Sequence, residues 1–176
     1  MDIKKIFLCL FLILSVFSDA RADRNFWNDA GNFLLIALPV SAYSVTFFKK
    51  DKNGTRELTK SLLFDTGITY SLKYLIKKRR PNGEDHSFPS GHTSIAFTCA
   101  GFIQKRYGWK NAFLFILAGI FTGISRIEAK EHYTEDVIAG AIIGWFSSYI
   151  FTTQFKSKSR IGFYFSPEFF YLSLKF

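Results

Sequence analysis

Asn111–Ile127 reads NAFLFILAGIFTGISRI and Asp136–Phe155 reads DVIAGAIIGWFSSYIFTTQF, with EAKEHYTE at Glu128–Glu135 between them. Both runs exceed the usual strand length and carry no alternation of polar and apolar residues, so they read as helices. Each is apolar nearly all round, which is expected of a helix that faces lipid or is wholly enclosed. The short connection puts the start of the second helix beside the end of the first. Arg126, His132 and Asp136 thereby share one end of a helical pair.

Three more apolar runs lie upstream, approximately Asn32–Phe48, Ser61–Ile76 and His92–Gln104, joined by charged connections. Their lengths lie at or below the roughly 20 residues that span a bilayer. The expected fold is an all-α helical bundle, with five transmembrane helices after a signal peptide, or six if that peptide stays attached. The competing architecture is a soluble bundle with a very apolar core. The second run carries Asp65 and Lys73, which are costly in lipid and must face the bundle or a headgroup-level cavity. The N-terminus supplies the three parts of an export signal: a positive end in Asp2–Lys5, an apolar stretch at Ile6–Phe17, and the small-x-small pattern Ala20-Arg21-Ala22. The expected organisation is a signal peptide at 1–22, a helical bundle at 23–160 and a tail at 161–176. The tail alternates aromatic and small residues around Ser166-Pro167 and suits a short hairpin or an interfacial segment.

Composition narrows the partners. The chain holds 22 Phe among 176 residues and carries a formal net charge of +9, with 23 Lys and Arg against 14 Asp and Glu. Mean hydropathy is only +0.10, because charged loops offset the apolar runs. A basic surplus fits nucleic acid, anionic lipid or a phosphate-bearing substrate. No aromatic-basic nucleic-acid motif is present, so that partner is set aside. No obligate protein partner is evident either. Cys9 and Cys99 lie inside apolar runs, without metal-binding spacing and without the arrangement of a disulfide framework.

The basic residues are also placed unevenly. Lys49–Lys60 holds five, Lys105–Lys110 three and Lys156–Arg160 three. Five crossings after an exported N-terminus put all three stretches in the cytoplasm, as the positive-inside rule requires. Lys77–Gly91 and Glu128–Glu135 then lie together on the exported side. The expected location is the inner (cytoplasmic) membrane with the site facing the periplasm. Lys77-Lys78-Arg79-Arg80 breaks the rule, which is reasonable if that end binds an anion; the plainer alternative is a cluster reaching lipid phosphates.

Three clusters at the exported end carry chemistry. Lys73, Lys77 and Arg80 would share a helical face, and Pro81 should end that helix at Arg80. Phe88-Pro89-Ser90-Gly91-His92 precedes an apolar run. Ser90 is a natural N-cap, Gly91 admits close backbone approach, and the free N–H groups of the first turn attract anions. His92 is placed to hand over a proton. In the third cluster, Ser125-Arg126 precedes His132 and Asp136, which are four residues apart, so the carboxylate can reach the imidazole and free its other nitrogen as a nucleophile. Taken singly, each has a plainer reading as a solvated stripe, a helix start or a structural His–Asp pair.

In order, Lys73-x6-Arg80-Pro81, Pro89-Ser90-Gly91-His92 and Ser125-Arg126-x5-His132-x3-Asp136 resemble the full three-part signature of the type 2 phosphatidic acid phosphatase and vanadium haloperoxidase superfamily. The resemblance covers about Lys73 to Asp136, and the five apolar segments around it also resemble the family's helical bundle. It implies that His132 attacks phosphorus to form a phosphohistidine, that His92 protonates the leaving alcohol and then activates water, and that Asp136 orients His132. Lys73, Arg80, Ser90, the Gly91 amide and Arg126 would bind the phosphoryl oxygens. No cofactor and no metal are implied, because cations serve in place of a metal. His86 lies outside the signature and reads as surface near the entrance. The signature is shared by soluble periplasmic acid phosphatases and haloperoxidases; the apolar helices favour the membrane-bound lipid phosphatase. A non-catalytic binder of anionic lipid would need the cations but not two histidines with Asp136.

Overall fold

Asp23 accepts a hydrogen bond from Asn25 N at 2.9 Å and Asp51 accepts one from Gly54 N at 2.9 Å, and these two carboxylates start the first two helices. The computed structural model describes residues 23–155 and, as backbone strands, 160–165 and 170–175. Five helices follow in order: α1 Arg24–Phe48, α2 Lys52–Leu75, α3 Gly91–Tyr107, α4 Trp109–Glu128 and α5 Thr134–Phe151. Strands β1 Arg160–Phe165 and β2 Phe170–Lys175 form an antiparallel hairpin, with Arg160 opposite Lys175 and Phe165 opposite Phe170. The bundle is thus all-α, and the hairpin adds a small β element in the tail. The expected signal peptide at 1–22 lies outside the described residues.

Two helices begin earlier than the apolar pattern indicates. α1 starts at Arg24 rather than Asn32, and α2 at Lys52 rather than Ser61. Hydropathy registers only the apolar turns, whereas these polar first turns are held by caps and distant partners. Arg24 Nε donates to Ala129 O at 2.9 Å, and Glu57 pairs with Arg106 at 2.8 Å. The far end of the bundle is locked by a buried fork in which Arg106 Nε and Nη2 meet the two Asp51 oxygens at 2.5 and 2.6 Å. α2, by contrast, ends sooner than Pro81 would dictate. Its C-cap, Ile76, is already extended (φ −104°, ψ 91°), so Lys77 and Arg80 belong to a loop and not to the Lys73 helix face. That loop closes on itself through Ser87 N to Lys78 O and Arg80 N to Glu84 O, bonds a continued helix would forfeit.

The interior is small and polar, while the exterior is large and apolar. Ser61, Asp65, Thr93, Ser94, Thr98, Ser125 and Ser147 are completely buried. Phe33, Phe47, Leu114 and Ile142 are between 64% and 77% exposed. Membrane bundles show this distribution, because small residues let helices approach and lipid solvates the rest. Among the described residues, α1 and α4 are long and apolar enough to cross a membrane by length and composition. Asp65 is buried and Lys73 lines a cavity, so both polar residues of the second apolar run face inward.

α3 is the central helix, packed against the other four. Its tightest neighbour is α5, through Gly140 and Gly144, one turn apart. A Cβ at Gly140 would overlap the carbonyl oxygen of Ser90, and one at Gly144 that of Ser94. Backbone against backbone, this crossing sets how near the start of α5 comes to the start of α3. Gly144→Val should therefore destabilise the fold by about 1–3 kcal/mol or more through overpacking. Gly67→Ala, where an added Cβ meets nothing, should be neutral. Thermal unfolding in detergent compares the two, and equal melting temperatures would refute the constraint.

Candidate active site

Every signature segment is at one end of the bundle, where α2 and α4 finish and α3 and α5 begin. A cavity of about 160 Å³ opens there, and Lys73, Arg80, Gly91, His92, Arg126 and His132 all line it. The two imidazoles, three cations and helix start that sequence spacing grouped together therefore share one wall. Asp136 and Ser90 sit behind that wall, fully buried.

His132 lies in the α4–α5 loop, two residues before α5, with its N–H donated to Arg126 O at 3.2 Å. Its Nδ1 is 3.9 Å from Asp136 Oδ2, and Ser87 Oγ fills the interval: it donates to that oxygen at 2.5 Å and lies 3.5 Å from Nδ1. The carboxylate thus reaches the imidazole by way of a hydroxyl. Asp136 further accepts Lys78 Nζ at 2.6 Å and the Tyr133 N–H at 3.1 Å. Burial, together with Lys73, Arg80 and the His92 ring, lowers His132 to a pKa of about 3, so its imidazole is neutral. Burial works against the Lys78 ammonium, but its bonds to Asp136 and Glu135 outweigh that and raise it.

Ser90 occupies the N-cap of α3 without capping it through its side chain. Its Oγ pairs instead with Thr93 Oγ1 at 3.0 Å, and its N–H donates to Asp136 O at 2.9 Å, tying the two helix starts together. A Cβ on Gly91 would stand between Thr69 and Lys73, both cavity walls, so the missing side chain leaves that space to a ligand. The N–H groups of this first turn lack intrahelical acceptors and carry the positive end of the helix dipole.

The cations are differently engaged. Lys73 Nζ donates to His86 O at 2.9 Å and Ser87 O at 3.5 Å, leaving one of its three donors. Arg80 Nη1 meets Glu131 at 2.5 Å and Glu84 at 3.2 Å, while its Nε is buried without a partner among the described residues. Arg126 is saturated: Nε on Ser125, Nη1 on the Asn28 and Asn32 side chains, and Nη2 on the Trp27 and Asn28 carbonyls. Of the exceptional basic run, Lys78 and Arg80 are ion-paired within the site, and Arg79 lies 3.8 Å from Asp85 on the surface. His86 is half-buried rather than free surface, its ring edge-on to Tyr74.

Sequence reasoning missed four participants: Asn32, Ser87, Lys78 as a partner of Asp136, and Glu131. Asn32 Oδ1 lies 2.9 Å from His92 Nε2 and also takes Arg126 Nη1 at 3.5 Å. An oxygen that already accepts from arginine requires the proton to be on His92 Nε2. The signal was present as Asn28-x3-Asn32, two amides one turn apart at the edge of an apolar run. Among the described residues, no His, Cys, Asp and Glu group has metal-binding geometry.

The sequence matches the PAP2 superfamily over residues 61–160, more than half of the chain. A lipid A 4'-phosphatase of Helicobacter pylori is 34% identical over 133 residues, 69% of this chain and 67% of the relative. A lipid A 1-phosphatase of Porphyromonas gingivalis is 38% identical over 98 residues, which is 48% of this chain but 22% of that longer protein. The crystal structure of Aquifex aeolicus LpxE superposes with a TM-score of 0.63 at 25% identity, covering 72% of this chain and 83% of that one. The chain belongs to the PAP2 superfamily, in its lipid phosphatase branch.

The depressed histidine has a thermodynamic consequence. An unfolded chain protonates His132 near 6.5, the folded one only near 3, so between these values the unfolded state binds more protons. The contribution to stability is complete above about 6.5 and is lost as pH falls towards 3. His132→Gln should flatten the decline in melting temperature between pH 6.5 and 4. An unchanged slope would show that the ring titrates normally.

Proposed function

We propose that this chain removes phosphate from a membrane lipid at the periplasmic face of the inner membrane, through a phosphohistidine on His132. The observation that carries this reading is the single cavity lined by both His132 and His92 together with Lys73, Arg80 and Arg126. With Nδ1 on the Ser87–Asp136 side, His132 offers Nε2 to phosphorus. The N–P bond forms as the bond to the lipid oxygen breaks; the His92 ring, which takes up a second proton when the phosphate anion binds beside it, gives its Nε2 proton to that oxygen and is left neutral. In the second step His92 takes a proton from water, the hydroxide attacks phosphorus, and the N–P bond breaks to release phosphate. Asp136, through Ser87, stabilises the charge that develops on the His132 ring.

Phosphoryl oxygens would be held by the free donor of Lys73, the unpartnered Arg80 Nε and the first-turn amides at Gly91. Arg126 would contribute by exchanging its longest bond, that to Asn32, for a phosphoryl oxygen. Ser90 would act from behind, by fixing the α3 start to Asp136. No step calls for a cofactor or metal.

Five membrane crossings follow from the same reading. The large apolar side chains exposed on the helices would face lipid, and the ends carrying Lys49–Lys60 and Lys105–Lys110 would be cytoplasmic, opposite the site. A cleaved peptide at 1–22 would place the N-terminus of the mature bundle outside.

His132→Ala and His92→Ala should each lower phosphate release from a lipid phosphate panel by at least about a hundredfold, while Lys60→Ala leaves it unchanged. Acid-labile phosphate trapped on the wild type and absent from His132→Ala would identify the intermediate. Full activity of His132→Ala refutes the scheme. Activity should persist in EDTA and be inhibited by vanadate; loss in EDTA restored by a divalent cation would overturn the metal-independent reading. Separately, carbonate washing at alkaline pH should leave the protein in the membrane fraction, and release to the supernatant would favour a soluble acid phosphatase.

A further inference from the structure

Below the cations, the cavity wall changes character. Asp65 is on α2 two turns before Lys73, on the same face as Thr69 and Lys73, and it lines the same cavity as both histidines. Its side chain is completely buried. Oδ1 accepts a hydrogen bond from Ser94 Oγ, which is itself 3.0 Å from Thr69 Oγ1. Oδ2 has no partner. Among the described residues no salt bridge reaches this carboxylate, and none of the hydrogen bonds in the reaction scheme involves it. A buried acceptor with nothing to accept is costly and is retained where a ligand completes it. An ionisable residue within an apolar helix is itself a mark of function.

We propose that Asp65 Oδ2 accepts a hydrogen bond from the unit that bears the phosphate, which makes the substrate a phosphate monoester whose esterified unit carries a hydroxyl or amide N–H close to the phosphate. This rests on the lipid phosphatase reading and narrows it. With the phosphoryl group at Lys73, Arg80 and Gly91, the next part of the molecule lies about one to two helical turns deeper, beside Thr69 and then Asp65. A polyol or an N-acylated amino sugar presents a donor there, while its acyl arms leave along Leu35 and Ile95. A polyprenyl chain leaves Oδ2 unsatisfied. A diphosphate brings a second anion to the carboxylate and is repelled.

The test measures kcat/KM of the full chain in mixed micelles, for wild type, Asp65→Asn and Asp65→Leu. The substrates are an N-acylated glucosamine phosphate lipid, phosphatidylglycerophosphate, phosphatidic acid, and a polyprenyl phosphate and diphosphate. Wild type should favour the first two over the others by at least about tenfold. Asp65→Leu should lower the first two by about ten- to a hundredfold while altering the rest by less than about threefold, and Asp65→Asn, which keeps an acceptor oxygen, should fall between. The sugar and polyol arms identify which source supplies the donor. An equal fall on all substrates, or an unchanged ratio, overturns the proposal while leaving the phosphatase reading intact. Wild type inert on every lipid overturns both. Should the variants fail to fold, wild type must still prefer phosphatidylglycerophosphate over its O-methyl analogue by about tenfold; equal rates refute the hydrogen bond.

Discussion

The site depends on how closely α5 crosses α3. Gly140 and Gly144 put the α5 backbone against the Ser90 and Ser94 carbonyls, leaving no room for even a methyl group. From that contact the rest follows. Ser90 N–H reaches Asp136 O, the two helix starts are joined, and the residues just before them, His132 on one side and the Gly91 turn on the other, come to line one cavity. In a bilayer no hydrophobic force presses helices together, so close approach by small residues and hydrogen bonds between helices must do that work. A phosphate site made of a helix start and a loop histidine can be no more exact than this crossing.

A second balance holds the charges. Cations gathered for an anion would repel one another in an empty site, yet here nearly all are engaged. Arg80 is on Glu131, Lys78 on Asp136 and Glu135, and Arg126 on the carbonyls and amides of α1. These partners differ in how readily they yield. The Arg80 Nε and one Lys73 donor are already available, whereas Arg126 is held by its full complement. Preorganised donors lose little on meeting a transition state, so a cavity of this kind spends its reorganisation on folding. The neutral His132 belongs to the same balance, since burial and the neighbouring cations keep its ring from taking a second proton.

The two ends of the bundle divide the labour. At the far end, the Asp51–Arg106 fork with Glu57 and Thr153 is closed and satisfied, and it fixes α2, α3 and the end of α5. Among the described residues, buried hydrogen-bonding capacity is left over at Arg80 Nε and, deeper, at Asp65 Oδ2 on the side of the site, and at Thr152 Oγ1 at the far end.

The order of residues from Lys73 to Asp136, read with the apolar runs around it, was enough to give the helical bundle, the family, and the gathering of His92, His132 and the cations at one end. Those features are legible because spacing and hydropathy act locally along the chain. The polar starts of α1 and α2 were hidden from hydropathy, since Asp23, Asp51 and Arg106 sustain them through caps and partners remote in sequence. Placing Arg80 on the Lys73 helix face failed for the complementary reason: the loop closing through Lys78, Glu84 and Ser87 outcompetes two further helical turns. Only the tertiary structure decided that Ser87 stands between Asp136 and His132, that Asn32 holds the proton of His92, and that one oxygen of Asp65 is left open. Each joins residues from 29 to 60 positions apart, and no local rule of sequence specifies which hydroxyl or amide will fill a gap that exists only once helices have packed.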